Sequence, residues 1–171
     1  TLRTVYMGTT RAFQDGVFGI GRSEQLTLLD VSVSMPPGRE VGDISDGGAN
    51  PNPTRDFVLA RLTQHPSPAS FQNALGRDIA RSPDLNGRDV TVYVHGYNNS
   101  FTDAAFRMAQ LATDTDLYGP VVSYSWPSRA SPLGYQYDTD SALFARDGLA
   151  ELLSKIKAAG ARKIVLIGHS M

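Results

Sequence analysis

Short apolar runs and helical stripes divide the chain into elements. Leu2 to Gly8 (LRTVYMG) predicts a strand. Leu26 to Met35 (LTLLDVSVSM) predicts a second, with alternation clearest at Val31, Val33 and Met35. The Gly-rich DGVFGIG segment between them predicts a turn region. Pro36 to Pro53 is rich in Gly, Pro, Asp and Asn and predicts a long surface loop. Phe57 to Leu62 predicts a third strand. Ser67 followed by Pro68 is a helix start, because proline suits the first helical position. Phe71, Leu75 and Ile79 give that helix one apolar face, and SPDLNG (Ser82 to Gly87) ends it.

The second half alternates strands and helices. Val90 to Val94 (VTVYV) is a short β-branched run, as expected of a strand covered on both faces. Ala105, Met108, Ala109 and Ala112 place a helix over Thr102 to Thr113. Val121 to Trp126 (VVSYSW) predicts a strand, and SRASPLGYQYD a loop. One long helix is expected from Thr139 to Ala159, with Leu149, Leu152, Leu153 and Ile156 buried and Gly160 as its stop. Ile164 to Ile167 (IVLI) is the last strand. This alternation predicts an α/β fold, a mostly parallel sheet flanked by helices. Sites in such sheets form at the carboxyl ends of strands. Those ends are HGYNNS, WPSRAS and GHSM, so three polar segments are expected to converge.

GHSM carries candidate chemistry. It matches the front of G-x-S-x-G, the nucleophile elbow, in which a sharp strand-to-helix turn lifts the serine hydroxyl above the sheet. Ser170 is the candidate nucleophile. An acyl-transfer site also needs two N–H donors for a developing oxyanion. One comes from the residue after the nucleophile, the other from the loop after the upstream strand. They map to Met171 and Tyr97, and Gly96 allows close backbone approach. The rival readings are an ordinary strand-ending turn at Ser170 and a capped helix start at HGYNNS.

The stretch from about Asp89 to Met171 carries HGYNNSF, SWPS, GYQYDTDSA and the HSM of the elbow. In these it resembles a bacterial family of α/β-hydrolases of unknown physiological function. VYMGTTR and FGIGRSEQLTLLDVSVSMP resemble the N-terminal extension of that family more loosely. The resemblance implies an α/β-hydrolase fold, here the N-terminal portion through the elbow. Residues 1-88 would be the extension and 89-171 the hydrolase core, forming one structural domain together. It also implies a Ser-Asp-His hydrolase of carboxylic esters whose acid and base follow Ser170 in chain order.

Three histidines are the only candidate bases in the chain. His169 points away from its neighbour Ser170, because adjacent strand residues face opposite sides. His95 is expected to order the oxyanion loop, and His65 to be a solvated loop residue. The expectation is therefore a polypeptide cut after Met171, with a C-terminal fragment bound as a second chain and supplying acid and base. Self-cleavage, another protease and deliberate truncation all stay open. Thr1 at the start fits removal of an export signal as well as trimming.

Composition narrows the alternatives. Sixteen Lys and Arg against seventeen Asp and Glu leave a net charge of -1, which gives no general attraction to nucleic acid. The chain has no cysteine, so thiol nucleophiles and thiolate metal sites are excluded. No cofactor is expected, since no G-x-G-x-x-G follows a strand and no His or carboxylate cluster has metal-ligand spacing. Asp114 and Asp116 read as exposed. No apolar run reaches membrane-spanning length. Trp126 could wall an acyl pocket or simply pack. Asn98, Asn99 and Ser100 could meet substrate or cap a helix. Tyr135, Tyr137 and Asp138 could line the cleft or pin the loop, and Arg129 reads as solvated. A small-molecule ester is the expected substrate. A peptidase, an acyltransferase and a non-catalytic binding module are the rival functions.

Overall fold

A computed structural model of the protein describes residues 1–83 and 86–169. Six strands form one sheet in the order β3-β2-β1-β5-β4-β6. They are β1 (Leu2–Gln14), β2 (Val17–Ser34), β3 (Val58–Gln64), β4 (Asp89–Val94), β5 (Val121–Ser125) and β6 (Lys163–Gly168). β1 pairs antiparallel with β2 and β2 antiparallel with β3. β1, β5, β4 and β6 run parallel. This is the mostly parallel, helix-flanked sheet of an α/β-hydrolase fold.

The helices are α1 (Pro68–Ala80), α2 (Phe101–Asp114), α3 (Tyr135–Phe144) and α4 (Arg146–Ala158). α1 starts where the sequence places it: Ser67 accepts the Ser70 N–H and Pro68 follows. α2 starts at a capping box in which Ser100 and Asp103 satisfy each other's backbone N–H. Ala105, Met108, Ala109 and Ala112 are all fully buried, so α2 lies close on the sheet. It packs with Val5, Met7, Tyr93 and Val121 on one face. α1 and α4 cover the other face, over Tyr6, Val90, Val92 and Tyr124.

Two expectations need correction. The DGVFGIG segment is mostly strand. Only Asp15 and Gly16 turn, with φ of 51° and 80°, and Gln14 pairs with Val17 across them. Positive φ at both central residues is the type I′ turn, whose twist matches a hairpin. The second is the long helix, which is two helices broken at Ala145. The Tyr124 hydroxyl donates to the Ala145 carbonyl and fixes that break. Gly160, at φ 104°, ends α4 as expected.

Asp114 is also not an exposed residue. Its side chain is 7% exposed. It pairs with Arg39 and accepts from Gln110 and the Gly42 N–H. The Arg39 guanidinium holds its carboxyl well below the usual range. It thereby ties the long loop after β2 to the end of α2.

Candidate functional site

The loops after β4 and β5 leave the sheet in opposite directions. The β4 loop enters α2 on one face, and the β5 loop leads to α3 and α4, with α4 on the other. A crevice at such a reversal is where ligands bind in open α/β sheets. β6 lies on the far side of β4, with Gly168 opposite Val94. The His169 N–H extends that ladder by donating to the Val94 carbonyl at 3.0 Å. HGYNNS, WPSRAS and Gly168-His169 therefore meet at one edge. Ser170 and Met171 lie outside the described residues. Tyr97 is described.

His95 and Trp126 face each other across the crevice. Their rings stack at 4.7 Å, and the Trp126 indole N–H donates to the His95 carbonyl at 2.7 Å. His95 Nδ1 lies 2.7 Å from the Gly96 carbonyl and Nε2 lies 3.1 Å from the Trp126 carbonyl. Burial, reinforced by the positive charge of Arg11, lowers the His95 pKa to about 4. The ring is neutral at pH 7 and carries one proton, which the shorter contact assigns to Nδ1. Nδ1–H donates to the Gly96 carbonyl, and the unprotonated Nε2 only lies against that of Trp126; buried and stacked between the two loops, His95 is a positioning residue.

Arg11 is the largest fully buried side chain and the main residue the sequence reading missed. A register shift in the β1–β2 ladder brackets it, and such bulges re-aim a side chain. Its guanidinium donates to the Ser125 hydroxyl and to the carbonyls of Gly19, Ser128 and Asn99, at 2.7 to 2.9 Å. One cation thus holds the hairpin, the β4 loop and the β5 loop together. Burial lowers its pKa to about 10, against the pull of Asp138 and Asp103, and it stays charged. The available signal was VYMGTTR. Arg11 lay past the expected strand end.

Asp138 pins the loops from the other side. It is fully buried and accepts from the Asn98 N–H, the Arg129 N–H and the Ser128 hydroxyl. Asn99 folds back on the Gly96 and Tyr97 carbonyls, and Ser100 caps α2. Tyr137 donates to the Ile20 carbonyl at 2.8 Å, and the guanidinium of Arg129 lies 5.6 Å from its ring centre. Tyr97 is held more loosely than its neighbours Asn98 and Asn99. Its ring packs edge-on against Tyr135 at 5.6 Å, and its N–H has no partner among the described residues.

His65 is not solvated. Its side chain is 8% exposed. Nδ1 lies 2.9 Å from the Ser70 hydroxyl and Nε2 lies 3.0 Å from Asp30. This Ser-His-Asp relay sits on the β3 side. The His65 N–H bonds Leu28, which pairs with Gly8, then Tyr124, Val94 and Gly168. Five interstrand steps of about 4.8 Å put it roughly 24 Å from the elbow strand. It is out of reach of the end of β6.

One family model, that of the alpha/beta hydrolases of unknown function (DUF900), matches residues 67–171. The chain belongs to this family. No curated protein and no solved structure matches it. For this α/β hydrolase, no group of three or more His, Cys, Asp or Glu among the described residues could hold a metal ion. No helix among them is long and apolar enough to cross a membrane.

Proposed function

We propose that this α/β hydrolase cleaves carboxylic esters through an acyl-enzyme on Ser170. The Ser170 oxygen attacks the ester carbonyl carbon, and its proton passes to a histidine base. The N–H groups of Tyr97 and Met171 hold the oxyanion. The alcohol leaves carrying the proton from the base. Water then attacks the acyl-enzyme, giving the acid and restoring the serine. The base and its carboxylate partner come from residues beyond Met171, in the same polypeptide or in a bound C-terminal fragment.

The unpaired Tyr97 N–H supports this reading best. The polar groups around it are bonded to one another, through Arg11, Asp138, Asn99 and His95. The Tyr97 N–H has no partner among the described residues, on the loop after the strand that pairs with β6 as far as Gly168. A preorganised free N–H is what a developing oxyanion needs, and one such donor contributes ~3 kcal/mol in the transition state. The fixed state of His95 and the distance of His65 are the grounds for seeking the base elsewhere.

The test is covalent labelling of the full-length protein with a fluorophosphonate, followed by peptide mapping. Modification of Ser170, together with hydrolysis of aryl esters, is expected. An unlabelled Ser170 in protein that refolds normally removes this reading in favour of a binding module. Cleavage of peptides with no turnover of esters would make the protein a peptidase.

A further inference from the structure

A cavity of about 150 Å³ opens at the crevice between β4 and β5. Val94, Trp126, Ala142, Ala145 and Leu149 line it, and His169, the residue before Ser170, stands at its side. We propose that this cavity is the acyl pocket and that it takes short linear acyl chains of about two to five carbons; the proposal rests on the esterase reading above.

Three observations carry it. The first is position. The cavity lies where the sheet reverses its connections, and both His169, the residue before Ser170, and His95, two residues before Tyr97, line it. The second is chemistry. Its walls are mainly apolar, with Arg146 and His169 at the side, whereas the larger cleft of about 490 Å³ beyond Asn98 sets Asp46, Asp103 and Arg107 beside Ile44 and Phe106. The hydroxyl of Tyr124 is engaged with Ala145 and Thr10, and the Trp126 N–H with His95. Their rings are therefore left to face the cavity, and apolar matter is what such walls favour.

The third is size. A closed apolar cavity of about 150 Å³ takes one benzene ring, so this one has room for roughly six non-hydrogen atoms. A butyryl group fits inside it, and an octanoyl chain would run out through its open side. The space exists because α3 stops and α4 starts at Ala145, with Ala142 one turn earlier. Small side chains at the break leave a floor that a larger residue would fill. Leu149, one turn into α4, closes the far wall.

The full-length protein, assayed on p-nitrophenyl acetate, butyrate, octanoate and laurate, tests the proposal. Butyrate is expected to have the highest kcat/KM, with octanoate at least about tenfold lower. Ala142→Leu is expected to cut the butyrate-to-acetate ratio by about fivefold or more. Leu149→Ala is expected to raise the octanoate-to-butyrate ratio by about tenfold. Ratios do not depend on the fraction of folded enzyme, and the two substitutions push in opposite directions. A wild-type optimum at octanoate or longer, or ratios that neither substitution moves, overturns the pocket and leaves the esterase reading standing. No ester turnover with Ser170 unlabelled removes that reading and the pocket with it.

Discussion

Two clusters on this sheet look like parts of a serine hydrolase, and they differ in what they leave free. At the β3 side, Asp30, His65 and Ser70 form a complete hydrogen-bonded relay. At the β4–β6 side, the neutral His95 donates to one carbonyl, that of Gly96, and no relay forms among the described residues. By hydrogen-bond pattern alone the first cluster is the catalytic one. By surroundings it is the second. Ser70 sits in the first turn of α1, with its own N–H already capped by Ser67, and His65 packs edge-on against Phe71 at 5.6 Å. The relay ties a strand end to a helix start. The other cluster has a crevice, an apolar cavity and an unpaired N–H. A relay positions a proton, but catalysis also needs a place for charge to develop.

The sharpest way to break this comparison is to remove each serine in turn. Ser170→Ala is expected to lower ester kcat/KM by ~10⁴-fold or more and to abolish fluorophosphonate labelling. Ser70→Ala is expected to leave both within about twofold. A Ser70→Ala enzyme that loses labelling while Ser170→Ala keeps it would reverse the assignment.

The next effect concerns what holds the second cluster in place. Arg11→Met removes the cation that donates to Ser125, Gly19, Ser128 and Asn99. Hydrogen bonds from a charged donor contribute about 1.5–3 kcal/mol each, and their buried acceptors would be left unpaired. The expected loss is at least about 3 kcal/mol in urea unfolding. Ester turnover should fall further than the folded fraction explains, because the Tyr97 loop loses its anchor. A loss under about 1 kcal/mol would mean the loops hold themselves.

How much of this was legible in the sequence depends on range. The convergence of HGYNNS, WPSRAS and Gly168-His169 follows from strand order and parallel crossovers, which periodicity reveals. The starts of α1 and α2 follow from Ser67-Pro68 and Ser100, which are local signals. Arg11 was not legible, because its partners lie as far as 117 positions away, and the bulge that turns it inward is a property of the pairing. The break at Ala145 was hidden for the same reason: neither Gly nor Pro marks it, and a Tyr124 hydroxyl from another strand fixes it. The hairpin is a different failure. Asp15-Gly16 is a strong turn signal, but Gly19 and Gly21 beside it made a strand look like a loop.

A pH titration probes His95. Its pKa falls from 6.5 to about 4 on folding. Between those values the unfolded chain binds the proton and the folded chain does not. Stability from this group is therefore complete above about pH 6.5 and is lost as pH falls toward 4, by about 3 kcal/mol in all. His95→Asn is expected to flatten that part of the stability–pH curve. An unchanged slope would show that the proton is taken up elsewhere.

The smallest expected effect tests the relay itself. His65→Gln removes the ring that joins Asp30 to Ser70 but keeps a polar side chain at the strand end. A hydrogen bond contributes about 1 kcal/mol net, or about 1.5–3 to a charged group such as the Asp30 carboxylate, and glutamine can remake one of the two, so urea unfolding should show a loss of about 1–2 kcal/mol. Activity on aryl esters should stay within about twofold, since roughly 24 Å separates this cluster from the elbow strand. The informative quantity is the split between the two readouts. Stability lost with turnover kept makes the relay a brace between β2, β3 and α1. Turnover lost with stability kept would mean that hydrogen-bond geometry was the better guide and the surroundings the worse one.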